Sequence, residues 1–311
     1  NPSINVEWLK VSDVPNDSRK LYVTGMIAKN PTPDVFAVDV IWVGEFAQRG
    51  WLAPINDLIK PEERAAYNQA FLAAATVDGK TYAAPLYVDG THLFYRKDLL
   101  QKYGFEPPET WEELISQSKT ILEGENNPQL VGFVSMWAKI EGLFMNWLSF
   151  LNGAGGSFFD KDGKVAVNSP EAVKATQTMV DILYKHKIAN SSILNYRPDD
   201  ARTLFQQGRA VFLMVQDFVI GPLSSAESPV ADKFDFTRNP YFEGSPGGHS
   251  TAMGGWFLGI NPYSQHKEDA AKLIQHFTNY DNQLWAAVKE NRAPGRTEVY
   301  DAPELNSGNS T

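Results

Sequence analysis

Two hydrophobic periods alternate along the chain. Short continuous apolar runs, such as "DVFAVDVIWV" (34–43), "LFYRK" (93–97) and "AVFLMV" (210–215), predict buried strands. Between them, apolar positions recur three and four residues apart, which predicts helices. "PEERAAYNQAFLAA" (61–74) reads as a helix with Pro61 at its first position and acids in its first turn. "NSPEAVKATQTMVDILYKHK" (168–187) is the clearest, with Ser169 as N-cap and Val173, Thr176, Val180, Leu183 and Tyr184 as its apolar face. Further helices are predicted over 18–29, 141–152 and 266–280. At the start, Ile4, Val6 and Trp8 alternate with polar residues, the pattern of a strand that other chain precedes. The tail "NSGNST" (306–311) is of low complexity and is expected to be flexible.

Strands interleaved with helices predict an α/β fold with mostly parallel sheets. At 311 residues, two domains are expected. One candidate crossing is "YGFEPPETWEEL" (103–114), where Pro107 and Pro108 stop one element and Thr110 with Glu113 form the capping box of the next. The second is the glycine-rich "SPGGHSTAMGGWFLGI" (245–260). They divide the chain into a first lobe over 1–108, a second lobe over 109–253, and a return to the first lobe over 254–311.

Composition narrows the function. Hydrophobic residues make up 43% and charged residues 21%, as in ordinary globular proteins. The net charge of −9, with no basic run longer than two residues, argues against nucleic acid and against a polybasic membrane patch. The absence of cysteine removes disulfides, thiolate metal sites and cysteine nucleophiles. No apolar run approaches the roughly 18 residues of a membrane span, and no signal peptide is present.

Nucleotide chemistry has no support, because "GAGGSFF" and "GSPGGHS" lack both dinucleotide-binding spacing and the phosphate-binding lysine. The five histidines show no metal-ligand spacing, and there is no G-x-S-x-G elbow. No metal or cofactor is therefore expected. Three carboxylates stand among aromatics instead: Asp39 with Phe36 and Trp42, Asp89 with Tyr87 and Phe94, and Glu141 with Trp137 and Phe144. Carboxylates bond pairs of sugar hydroxyls, and aromatic faces stack on the apolar face of a pyranose. Asp39 and Asp89 as the acid and base of a glycoside hydrolase are a lesser alternative, and a cage of aromatics would suit a cationic solute such as an osmolyte or polyamine.

Six blocks occur in an order that resembles the bacterial family 1 extracellular solute-binding proteins, the sugar-capturing subunits of ABC importers. They are "DVFAVDVIWVGEFAQRGWLAPINDLI", "DGKTYAAPLYVDGTHLFYRKDLLQKYGFEPPETWEEL", "EGL…GGSFFDKDGKVAVNSPEAV", "LFQQGRAVFLMV", "AMGGWFLGI" and "RAPGRTEVYDAPEL". "DVIW" and "GGW" are similar to the trehalose/maltose-binding branch. The resemblance implies a two-lobe (type II) periplasmic-binding-protein fold, with crossing strands as hinge and a ligand cleft that closes on a sugar, a disaccharide such as trehalose or maltose. It implies no catalysis, a membrane permease as partner, a monomer, and a periplasmic or extracellular location with or without a lipid anchor. By position, Arg19, Asp39, Trp42, Tyr87 and Asp89 are implied as ligand contacts of the first lobe. Trp256 is implied as a stacking platform, with Gly254 and Gly255 admitting the ligand to the backbone. Trp137, Glu141 and Phe218 are implied for the second lobe, Phe218 standing where the family carries a tryptophan, and Arg296 is a further candidate. The family also has a strand and helix before this chain's start and helices after "VYDAPEL", so the chain is expected to be part of a longer fold.

Overall fold

The computed structural model describes residues 4–11 and 15–306, with side chains to 305; the remainder of the "NSGNST" tail lies outside the described residues. The chain divides into two compact units, residues 1–89 with 254–311 and residues 90–253, so that 90–108 belongs to the second. The long strand Ala83–Arg96 passes from one to the other between Asp89 and Gly90.

In the first unit, Val35–Asp39 pairs antiparallel with Met253–Ile260, placing Asp39 opposite Trp256. Tyr87 and Val88 pair with Pro294 and Ala293. Alternate residues of these strands enter two clusters. Phe36, Val38 and Phe257 pack with Trp42, Phe46 and Phe71, whereas Ala84 and Ile260 pack with Ile55, Tyr67 and Ile274. A sheet covered on both faces needs this split.

The second unit repeats the arrangement. Thr91–Tyr95 pairs with Phe212–Gln216, Leu93–Arg96 pairs with Phe234–Thr237, and Val131–Ser135 runs parallel to Ala210–Met214. Leu93, Tyr95, Phe133, Phe212 and Met214 face one core, and Phe94, Val134, Leu213 and Val215 the other. Trp111, the first residue of its helix, stacks on Phe150 at 3.8 Å.

Several expectations hold. The capping box forms: Thr110 Oγ1 accepts from Glu113 N at 3.2 Å, and Glu113 Oε2 accepts from Thr110 N at 3.2 Å. Ser169 caps the helix Pro170–Tyr184. Gly208, at φ +73, ends Pro198–Gln206 before the strand Ala210–Gln216.

Others are corrected. Of the strand pairs named above only Val131–Ser135 with Ala210–Met214 is parallel; the crossing strand runs against Phe212–Gln216, Phe234–Thr237 and Ala293–Pro294, and Val35–Asp39 runs against Met253–Ile260. Residues 4–11 form no strand; alternation alone gives no ladder without a partner, and Trp8 is 76% exposed. The helix expected at 18–29 spans Pro15–Ile27. The 61–74 helix is broken, because Tyr67 is extended and Asn68 starts a new helix, Gln69–Ala74, by accepting from Phe71 N at 3.0 Å. The 266–280 helix becomes two, Lys267–Thr278 and Tyr280–Glu290, separated by the capping residue Asn279. Pro170–Tyr184 buries Ala172, Ala175, Met179, Ile182 and Leu183, leaving Val173, Val180 and Tyr184 exposed.

Candidate functional site

In the first unit the site is built on three neighbouring stretches of backbone. Asp39 ends the strand Val35–Asp39, and its Oδ1 accepts from Ile41 N at 3.3 Å, capping the short turn Val40–Trp42. The residue is buried, at 6% exposure. Trp256 lies opposite Asp39 across the ladder and is half-buried. Tyr87 and Asp89, two residues apart, share one face of the strand Ala83–Arg96. They lie within that strand, ahead of the run "LFYRK" that the sequence marks as buried.

Electrostatics tie these groups together. Burial pushes the Tyr87 phenol up to about 12; the Arg292 guanidinium opposes the rise, and the charges of Asp89 and Asp39 add to it. The Arg292 guanidinium lies 4.5 Å from the Tyr87 ring centre. Two carboxylates, a phenol, a guanidinium and an indole thus form one group. Ionised acceptors and a fixed cation hydrogen-bond neutral hydroxyls strongly, and an indole face takes up apolar C–H surface.

Arg292 is the residue that sequence reasoning missed. "NRAPGR" offers two arginines, and the strand Ala293–Pro294, pairing with Tyr87 and Val88, brings the earlier one to the site. Arg296 is committed to the fold. Its Nε donates to Thr278 O at 2.7 Å, its NH1 to Glu298 at 2.9 Å, and its guanidinium lies 4.6 Å from the centre of the Tyr67 ring.

Three other first-unit candidates act by support. Trp42 is 3% exposed, packed edge-on to Trp256 at 5.5 Å and stacked on Phe46 at 6.0 Å, so it offers no open face for sugar. Gly255 has φ +139, and a Cβ there would lie 2.4 Å from Tyr87 O and 2.6 Å from Phe71 Cζ. Its need for glycine comes from the packing of strands beneath the site. Arg19 pairs with Glu45, which also accepts from Arg49 Nε at 2.9 Å; Arg19 is the main cause that holds the Glu45 carboxyl below its ordinary range.

In the second unit, candidates follow the carboxyl ends of the parallel strands Val131–Ser135 and Ala210–Gln216, where open α/β sheets bind ligands. Glu141 opens the helix Glu141–Gly153, and burial raises its carboxyl above the ordinary range. Phe218 sits in the turn Asp217–Val219, half-buried against the core. Trp137 is 4% exposed beside Phe133, a core position rather than an open platform. Among the described residues no cluster of His, Asp or Glu is arranged to hold a metal ion, and no helix is long and apolar enough to cross a membrane.

The sequence profile described as bacterial extracellular solute-binding protein matches residues 1–284. A probable ABC transporter-binding protein of Deinococcus radiodurans is 33% identical over 300 residues, covering 94% of this chain and 70% of that one. A galactooligosaccharide-binding protein of Bacillus subtilis is 25% identical over 281 residues, 88% of this chain and 62% of that one, so the chain spans less than two thirds of that relative. Among solved structures, maltose-bound T. maritima MalE3 superposes with a TM-score of 0.92 at 38% identity, covering 99% of this chain and 78% of that one. The fold is that of the two-lobe periplasmic binding proteins. The chain belongs to the bacterial extracellular solute-binding proteins, a family of sugar-binding components of ABC transporters that bind their solutes and do not transform them.

Proposed function

We propose that this chain captures a sugar outside the cytoplasm, with a disaccharide such as maltose or trehalose as ligand, and delivers it to the membrane permease of an ABC importer. The observation that carries the reading is the first-unit group of Asp39, Tyr87, Asp89, Arg292 and Trp256. Hydrogen bonds to ionised side chains contribute about 1.5–3 kcal/mol each when water is excluded, and Trp256 supplies the stacking surface. Glu141 and Phe218 are the candidate contacts carried by the second unit. Hydrolysis by Asp39 and Asp89 is set aside, because the family binds without catalysis.

Calorimetric titration with maltose, trehalose, sucrose and glucose tests the proposal. Saturable binding of a disaccharide, weakened at least tenfold in Asp89→Ala, is expected. Absence of heat with every sugar contradicts it.

A further inference from the structure

On the second unit a lysine and a histidine share a hydrogen bond: Lys119 Nζ lies 3.0 Å from His186 Nδ1. Lys119 is an exposed residue of the helix Trp111–Glu125, and half-buried His186 follows the end of the helix Pro170–Tyr184. An ammonium has only donors, so Nδ1 is the acceptor and the imidazole is neutral, with its proton on Nε2. A second proton on the ring would point an N–H at the ammonium and set two like charges against each other.

The bond joins elements that meet without a gap. His186 N and Lys185 N both donate to Asp181 O, at 2.7 and 3.0 Å, and Lys187, at φ +56, turns the chain into Ile188. Ile188 O then accepts from Gly132 N at 2.7 Å and from Phe133 N at 3.0 Å, where the strand Val131–Ser135 begins. A Cβ at Gly132 would lie 2.6 Å from the Cβ of Ser118, the residue before Lys119, and 3.1 Å from Ile188 Cβ. The candidate ligand contacts follow the other end of this strand. Among the described residues the charged groups acting on His186 are Lys119 of Trp111–Glu125 and, from its own side, Asp181 and Lys185. Burial first, then Lys119 and Lys185, holds the imidazole below its ordinary 6.5, and Asp181 opposes them. The strand Val131–Ser135 carries no titratable side chain.

We propose that the Lys119–His186 bond is a proton-operated latch on the second unit: protonation of His186 breaks it, and the turn 185–188 opens from the helix Trp111–Glu125 together with the first hydrogen bonds of Val131–Ser135. The sign follows from the neutral ring. The latched form holds the second proton less tightly than the open form, so the latch is fully present above pH 6.5 and is lost as pH falls through the folded value. The device is independent of which solute the chain carries.

NMR of the imidazole nitrogens in the full chain, titrated from about pH 8 to about pH 5, tests the latch in the wild type, Lys119→Met and His186→Gln, the last of which also assigns the His186 signals. The wild-type ring should carry its single proton on Nε2 and titrate below 6.5. Lys119→Met should titrate higher, with a proton affinity raised about threefold or more. Amide exchange, corrected for its intrinsic pH dependence, should show opening at Gly132 and Phe133 rising about threefold toward the acid end in the wild type and staying level in His186→Gln. A neutral ring protonated at Nδ1, a wild-type midpoint at or above 6.5, an unchanged midpoint in Lys119→Met, or the same exchange profile in wild type and His186→Gln overturns the latch. The wild-type tautomer and midpoint are read without any substitution, so a variant that fails to fold leaves the test intact.

Discussion

Asp89 sits inside a fourteen-residue strand, where aspartate has poor intrinsic preference. Such a residue is expected to serve binding. Asp89→Ala should lower sugar affinity at least tenfold in a variant that still unfolds cooperatively. Arg296→Ala should do the reverse. Its side chain is 13% exposed and anchored on Thr278 O, so its loss should destabilise the fold by about 1–3 kcal/mol and leave sugar affinity unchanged. Chemical denaturation alongside calorimetry checks both. Glu141 gives a pH signature. Burial raises its folded value above the ordinary 4.5, so its favourable contribution is present below pH 4.5 and is lost as pH rises through the folded value. Glu141→Gln should therefore melt higher than wild type at pH 7, and the difference should vanish by pH 4; a constant difference across that window contradicts the assignment. Asp39 and Asp89 stand out in the sequence because each is a carboxylate in an apolar run flanked by aromatics, Tyr87 being one of them. Arg292 was not, because "NRAPGR" does not reveal which arginine a two-residue strand will turn toward Tyr87.

At the level of elements, local chemistry was readable where a single residue decides the outcome. Thr110 with Glu113 and Ser169 are caps whose side chains act within three residues, and all are in place. The face of Pro170–Tyr184 was misread because alanine carries little apolar signal, yet its small volume lets helices approach closely. Asn68 and Asn279 split two helices for the same kind of local reason, an amide that caps better than it propagates. Gly255 shows a requirement that only the paired strands reveal. At φ +139, and with Tyr87 O 2.4 Å from where a Cβ would sit, Gly255→Ala should destabilise by at least about 3 kcal/mol or prevent folding. Wild-type expression and melting of that variant would contradict the packing.

For the whole molecule, the α/β class followed from the interleaving of apolar runs with helical periods, and the family from six blocks in order. Strand direction did not follow, since a buried strand reads the same whichever way its neighbour runs. The two units, 1–89 with 254–311 and 90–253, each bury their own pair of cores. What the molecule does rests on whether the polar group of the first unit holds sugar. The most direct measurement is calorimetric titration of wild type and Asp89→Ala, side by side, with maltose and trehalose. Saturable one-to-one binding to the wild type, reduced at least tenfold in a variant that still unfolds cooperatively, is the predicted result. Equal binding by both proteins, or no binding of either sugar by a folded wild type, would contradict it.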